Sequence, residues 1–407
     1  MIELRGKYNT AKVFTDNVDS ETISQVINLL NQDFVSGCKI RIMPDCHAGA
    51  GCVIGFTADL GEKVIPNIVG VDIGCGMLVV ELGKINIDLE ELDKVIRQYV
   101  PSGMSVHKDI KVEFNKFKDL NCYNNLKAIP WLEKSIGTLG GGNHFIEVNK
   151  DENGNLYLVI HTGSRNLGKQ VAEYYQDMAV ELLSGKDDLA EKKAQLIKEY
   201  KQQGKQKLIQ TELKKLEEEY RKKQPKYPKD LCFLTGVHRE KYLHDMKICQ
   251  EFANLNRVAI ANTILKHMFD AKLEDFSHFE TIHNYINFTD NIIRKGAISA
   301  YKGEKVLIPM NMRDGSLLCV GKGNPDWNYS APHGAGRIMS RAQAKQVISI
   351  EEYKKSMEGI YTTSVDKHTI DEAPMVYKPI HEIIENIQDA VESIKILKPI
   401  YNFKAGE

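Results

Sequence analysis

Leu156-Tyr157-Leu158-Val159-Ile160-His161 (LYLVIH) is an apolar run that ends in a histidine. Its length and its β-branched and aromatic content predict a short strand that delivers His161 at its end. Upstream lies Gly140–Glu147 (GGGNHFIE) and downstream His161-Thr162-Gly163-Ser164-Arg165, each setting polar side chains beside glycines. Helical apolar spacing follows at Lys169–Leu183 and recurs at Glu21–Phe34, Leu89–Val100, Arg239–Phe269, Arg337–Gln346 and Pro379–Ile396. Lys39–Met43 alternates like a strand, Ile65–Leu82 reads as buried β structure broken by glycines, and Gly296–Pro309 as paired strands around Lys302-Gly303-Glu304. Strands and helices so interspersed, with no repeat and no regular βα alternation, predict an α+β or complex α/β fold.

The chain has 407 residues and a formal charge of −1, from 54 Lys+Arg against 55 Asp+Glu. That balance excludes a generally polybasic coat protein and leaves room for a local basic groove. The eight cysteines include no CxxC pair. The first residues lack the apolar core of a secretory signal, and no apolar stretch reaches the length of a membrane span. A reducing cytoplasm is therefore expected, with important cysteines serving as metal ligands or nucleophiles. Lys186–Lys229 differs from the rest, with 14 Lys or Arg and 8 Asp or Glu around an Ile209, Leu213, Leu216, Tyr220 stripe. It reads as a protruding basic helical hairpin, either a solvated insertion or an arm that touches RNA phosphates.

The chemistry-bearing residues sit at glycine-rich turns. They are Pro44-Asp45-Cys46-His47-Ala48-Gly49-Ala50-Gly51, Val71-Asp72-Ile73-Gly74-Cys75-Gly76-Met77, the two segments flanking LYLVIH, Ile282-His283-Asn284-Tyr285, and Pro332-His333-Gly334-Ala335-Gly336-Arg337. Glycine permits tight turns and close ligand approach, so such loops point to a converging metal or phosphate site. Asp72 and Cys75 are spaced to reach one ion from a single turn, and a thiolate can bridge two ions. Three histidines, one carboxylate and one thiolate can fill two divalent sites, with Mn, Zn, Fe and Co all compatible. No GxxxxGK[ST], HExxH, GxSxG or strand-borne GxGxxG motif is present, nor the lysine-centred motif of common nucleotidyltransferase ligases. If a nucleotide is activated covalently here, a histidine is the candidate nucleophile.

From about Lys39 to Lys404 the ordered motifs PDCHAGAG, VGVDIGCGM, GTLGGGNHFIE, HTGSRNLG, HNY, SAPHGAGRIMSR, IDEAPMVYK and a final Lys-Ala-Gly resemble the RtcB family of RNA ligases. The resemblance implies that family's α+β fold, mixed sheets flanked by helices, as one catalytic domain over residues 1–407 with the 186–229 hairpin inserted. It implies joining of RNA 2′,3′-cyclic phosphate or 3′-phosphate ends to 5′-hydroxyl ends, with GTP and two Mn²⁺ ions. RNA, as tRNA halves or broken RNA, is the implied partner, and an archease-like activator a candidate one.

Carried over by residue, Asp72, Cys75 and His144 resemble the ligands of one Mn²⁺, and Cys75, His161 and His283 those of the other. His333 resembles the histidine that attacks the α-phosphate of GTP. Asn143, His144, Phe145, Ile146 and Glu147 resemble a nucleotide-binding stretch, with Asn143 on the phosphate and Glu147 on the guanine edge. His283-Asn284, Pro309–Met312 (Pro309, Met310, Asn311, Met312), Ser316, the His333–Gly336 loop (Gly334, Ala335 and Gly336 included), Tyr377 and Lys404 match further nucleotide contacts. Arg165, Arg337 and Arg341 are read either as stabilisers of phosphoryl charge or as structural ion-pair partners. Asp45 and His47 are assigned no metal and read as a network buttressing the site. One departure stands out: family members commonly read Pro-Gly-Ser-Met where this chain has Pro309-Met310-Asn311-Met312. A di-metal cyclic phosphodiesterase and a non-catalytic RNA-binding factor are the rival readings. An intact His333 and guanine contacts weigh against the first, and intact metal ligands against the second.

Overall fold

In the computed structural model, which describes residues 1–186 and 188–405, the LYLVIH run lies inside a seven-stranded sheet. Asp187 of the predicted hairpin and Gly406 of the Lys-Ala-Gly end lie outside the described residues. The strands are β1 (Ile2–Arg5), β2 (Thr10–Val13), β3 (Ile40–His47), β4 (Ile54–Ala58), β5 (Gly76–Gly83), β6 (Phe145–Lys150), β7 (Leu156–Thr162) and β8 (Ser277–Ile282). They continue as β9 (Asn284–Ile286), β10 (Ile293–Lys295), β11 (Ala297–Ser299), β12 (Lys305–Asn311), β13 (Gly315–Gly321), β14 (Ser330–Pro332) and β15 (Val391–Lys404).

The seven-stranded sheet runs β12-β13-β15-β6-β7-β5-β8, with antiparallel neighbours throughout. A six-stranded mixed sheet runs β1-β2-β3-β4-β10-β9, and β11 pairs with β14. With these helices and sheets, the chain is α+β.

Alternation along β5, β6 and β7 divides the large sheet's side chains between two faces. Leu78, Val80, Ile146, Val148, Leu158 and Ile160 pack on one face against the helices Leu89–Tyr99 and Gly236–Phe269. Met77, Val79, Phe145 and Val159 pack on the other, with Leu307 and Leu397. Register decides what happens at the sheet's end. Gly76 lies opposite both Thr162 and Ile282, and Phe145 opposite His161. Cys75, His144, His161 and His283 therefore come together although the chain separates them widely.

Four sequence expectations are corrected. Pro379–Ile396 is not one helix: helix covers Ile380–Asn386, and β15 begins at Val391, where its β-branched residues gain ladder partners in β13 and β6. Helix in Arg337–Gln346 starts only at Arg341, because the Ser340 side chain caps the Gln343 amide and sets the helix start. Within Gly296–Pro309, β11 and β12 do not pair with each other but with β14 and β13. Ile65–Leu82 also opens with a helical turn, Pro66–Val69, before its strand. In the 186–229 segment, helices Leu189–Gln202 and Ile209–Lys222 are tied by the Lys193–Glu217 ion pair at 2.6 Å.

Arg257, fully buried on the 34-residue helix Gly236–Phe269, locks this framework beneath the site. It donates to the Gly74 carbonyl (2.8 Å), the Thr162 carbonyl (3.0 Å) and Glu280 (2.7 Å). Arg257→Ala strips all three at once and is expected to cost about 3 kcal/mol. A lowered guanidinium midpoint checks this; an unchanged midpoint would show that the triple anchor carries no net stability.

Candidate active site

The loop before β5, the residue before β6 and the ends of β7 and β8 bring five donors together. Cys75 Sγ lies 3.5 Å from His144 Nε2 and 3.3 Å from His161 Nε2. His161 Nε2 is 3.4 Å from His283 Nε2, and His144 Nε2 is 3.1 Å from Asp72 Oδ2. The donors form two groups that can each hold an ion, Cys75-His161-His283 and Asp72-Cys75-His144, with ligand atoms within 4.8 Å of one another. Cys75 belongs to both.

Two of the three imidazoles are aimed by backbone carbonyls, while the buried His283 Nδ1 has no partner among the described residues. His144 Nδ1 donates to Leu139 O (2.8 Å) and His161 Nδ1 to Asn143 O (3.3 Å). A carbonyl only accepts, so each ring turns an Nε2 lone pair toward the cluster. Burial pulls the pKa values of His161 and His283 well down, which keeps them neutral and ready to ligate. Burial pushes the Cys75 thiol well up, so a proton must leave when a cation binds. A Cβ at Gly163 would sit 2.3 Å from Asp72 Oδ1, so any other residue would push the Asp72 carboxylate off its Ser164 amide contact.

His333 follows β14, beside this cluster, its ring centroid 4.8 Å from that of His283. Its Nδ1 donates to Asp45 Oδ2 at 2.7 Å, and the same oxygen accepts from the amides of His333 (3.2 Å) and Gly334 (3.1 Å). Asp45 is fully buried on β3. Holding the proton on Nδ1 leaves Nε2 as a nucleophilic lone pair. Asp45→Asn removes the negative charge that supports this tautomer. It is expected to slow any chemistry at His333 by about 10²–10⁴-fold while leaving the fold intact. Rate measurements beside an unchanged circular dichroism spectrum check it.

His333 lines a cavity of about 840 Å³, together with Asn143, Phe145, Glu147, Pro309, Met310, Asn311, Met312, Gly334, Ala335, Gly336, Tyr377 and Lys404. That size suits a nucleotide-sized ligand. Burial raises the Glu147 carboxyl to about 7, only partly opposed by Lys404 and the Asn149 and Asn402 amides. Burial works the same way on Glu372, yet Lys404 and Arg341 hold that carboxyl down at about 2. Lys404 Nζ lies 2.6 Å from Glu372, and the Tyr377 hydroxyl donates to the same carboxylate.

Several predicted residues are engaged by the protein itself, some of them on the cavity wall. Ile146 points into the core, and Ser316 is fully buried with its hydroxyl unpartnered. Asn284 supports the loop that carries Asp72 and Cys75, donating to Asp72 O (3.2 Å) and accepting from Gly296 N (3.0 Å). The Asn311 side chain turns back to the Arg313 and Asp314 amides, and Met312 sulfur accepts from Tyr353. Arg337 and Arg341 line the cavity but are paired with Glu372, at 3.2 and 2.9 Å. Arg165 is absent from the lining and donates to Thr138 Oγ1 (3.0 Å) and Gly103 O (2.8 Å).

The model of the family described as tRNA-splicing ligase RtcB matches residues 25–129 and 124–405. The chain belongs to the RtcB family. It is 30% identical to the RNA-splicing ligases RtcB1 and RtcB of two Escherichia coli strains, ATCC 25922 and K12, over 94% of each chain. It is 25% identical to the tRNA-splicing ligase RtcB of Methanococcus maripaludis, over 94% of this chain and 91% of that one. Among the described residues of this RtcB-family chain, no helix is long and apolar enough to cross a membrane.

Sequence reasoning read Asp45 only as part of a network buttressing the site, without naming His333 as its partner, and gave no role to Glu372 or Asn256. Asp45 and Glu372 lay in quoted motifs, but neither motif says which side chain it will meet. Asn256 spans the Gly137 amide (2.8 Å) and the Gly163 carbonyl (3.2 Å), and nothing in its helical context marks it.

Proposed function

We propose that this chain is an RNA ligase that joins 2′,3′-cyclic phosphate or 3′-phosphate ends to 5′-hydroxyl ends, using GTP and two Mn²⁺ ions. The observation that carries the reading is His333, held by Asp45 with its Nε2 free, beside a five-donor cluster and on the wall of a nucleotide-sized cavity. Asp72, Cys75 and His144 would hold one Mn²⁺ and Cys75, His161 and His283 the other. A divalent cation bound there neutralises charge that develops on phosphoryl oxygens.

His333 Nε2 attacks the α-phosphorus of GTP, pyrophosphate leaves, and a GMP-histidine phosphoramidate forms. A 3′-phosphate oxygen of the RNA then takes the GMP, giving a 3′-ppG end. The 5′-hydroxyl attacks the RNA-side phosphorus, and GMP departs. Glu147 and Lys404 face the guanine, and Asn143 the phosphates. Residues 1–407 act as one catalytic unit, with the 186–229 hairpin an insertion in it.

Incubation with Mn²⁺ and α-labelled GTP, followed by denaturation, tests the reading. Acid-labile label on the protein is expected, and ATP beside it tests the influence of Met310 and Asn311. No label with either nucleotide, at full metal loading, would instead favour a di-metal phosphoesterase.

A further inference from the structure

Asp45 orients a second histidine besides His333. Two residues further along β3, His47 places its Nδ1 3.0 Å from the Asp45 carbonyl oxygen. A carbonyl only accepts, so Nδ1 carries the proton and Nε2 the lone pair. Asp45 therefore sets two tautomers, one with its carboxylate and one with its backbone. His47 lines the cavity with His333 and Arg337, and among the described residues its Nε2 has no protein partner. It belongs to neither metal-holding group. Burial pulls its pKa down, and the Asp45 carbonyl and carboxylate only partly oppose this, so the ring is neutral.

A neutral imidazole offering only a lone pair is poorly suited to holding phosphate, whose oxygens need donors. It is well suited to taking a proton from a hydroxyl. His47 and its neighbour Ala48 line the cavity from the six-stranded sheet's side of the chain, a stretch that no nucleotide contact uses.

We propose that His47 is the general base of the sealing step, an inference that rests on the ligase reading above. In that step the RNA 5′-oxygen bonds to the RNA-side phosphorus of the 3′-ppG end. The P–O bond to GMP breaks, GMP leaves with the electron pair, and the hydroxyl proton passes to His47 Nε2. No hydroxyl reacts when His333 takes GMP, so His47 is not needed there.

Full-length His47→Ala and His47→Gln, loaded with Mn²⁺, separate the steps. Three quantities are measured: label from α-labelled GTP on the protein, conversion of 3′-phosphate RNA to 3′-ppG, and joining of preformed 3′-ppG RNA to 5′-hydroxyl RNA. The first two should stay near wild type, which also reports an intact fold. Joining should fall about 10²–10³-fold, 3′-ppG should accumulate, and added imidazole should restore part of the rate to His47→Ala. Joining at the wild-type rate in either variant overturns the proposal, as does a parallel fall of all three quantities in both. A wild-type protein that takes no label overturns the ligase reading instead, and this proposal with it.

Discussion

His333→Ala is expected to take no covalent label from α-labelled GTP and to lose RNA joining by on the order of 10⁴-fold or more. The argument is local. Asp45 Oδ2 holds the His333 ring by Nδ1 and the loop by two amides, so a single nitrogen is presented to the cavity. Alanine leaves the Gly334 amide bond to Asp45 possible but supplies no nucleophile. Among the residues lining the cavity, His47 and His161 are the other histidines. His161 is turned toward Cys75 and His283, and the role proposed for His47 is a base. Mn²⁺ binding should survive, because His333 belongs to neither ligand group. Equal metal loading with no label confirms the role; label at the wild-type level in the variant would sink the nucleotidyl-histidine mechanism.

Cys75→Ala is expected to empty both metal positions, not one. Cys75 is the single residue common to the two groups, and its removal leaves Asp72 with His144 and His161 with His283. Two ligands hold a divalent ion far more weakly than three, so each affinity should fall by more than about 100-fold, with ligation lost. His283→Ala is the control, expected to lose one ion and keep the Asp72-Cys75-His144 position. Equilibrium dialysis with Mn²⁺ counts the ions bound. Two ions at undiminished affinity in Cys75→Ala would refute the shared thiolate.

The basic hairpin and the three arginines show how far charge can be read without neighbours. Arg337 and Arg341 face the cavity, yet Glu372 answers both, and Arg165 is used up on Thr138 and Gly103. Their two readings were open in sequence because an arginine's partner is set by which loop folds over it. Similarly, Glu147 is legible as a candidate contact through its motif, but its carboxyl is raised to about 7 by burial between β15 and its neighbours, a rise the Asn402 amide opposite it only partly offsets. Pro379–Ile396 shows the same limit for the fold. Its apolar spacing fits a helix, and the demand of β13 and β6 for a partner makes its second half a strand.

By itself, the sequence determined the ligand types, the glycines beside them, and the motif order that marks the family. These are local choices of residue, and each is written where it acts. Tertiary structure decided what those residues do to one another. The pairing of Gly76 with both Thr162 and Ile282 places Cys75 in both groups that can hold an ion, and the packing of β3 against the loop after β14 places Asp45 on His333. Contacts between positions 288 residues apart depend on sheet register and loop closure, and no local pattern encodes those.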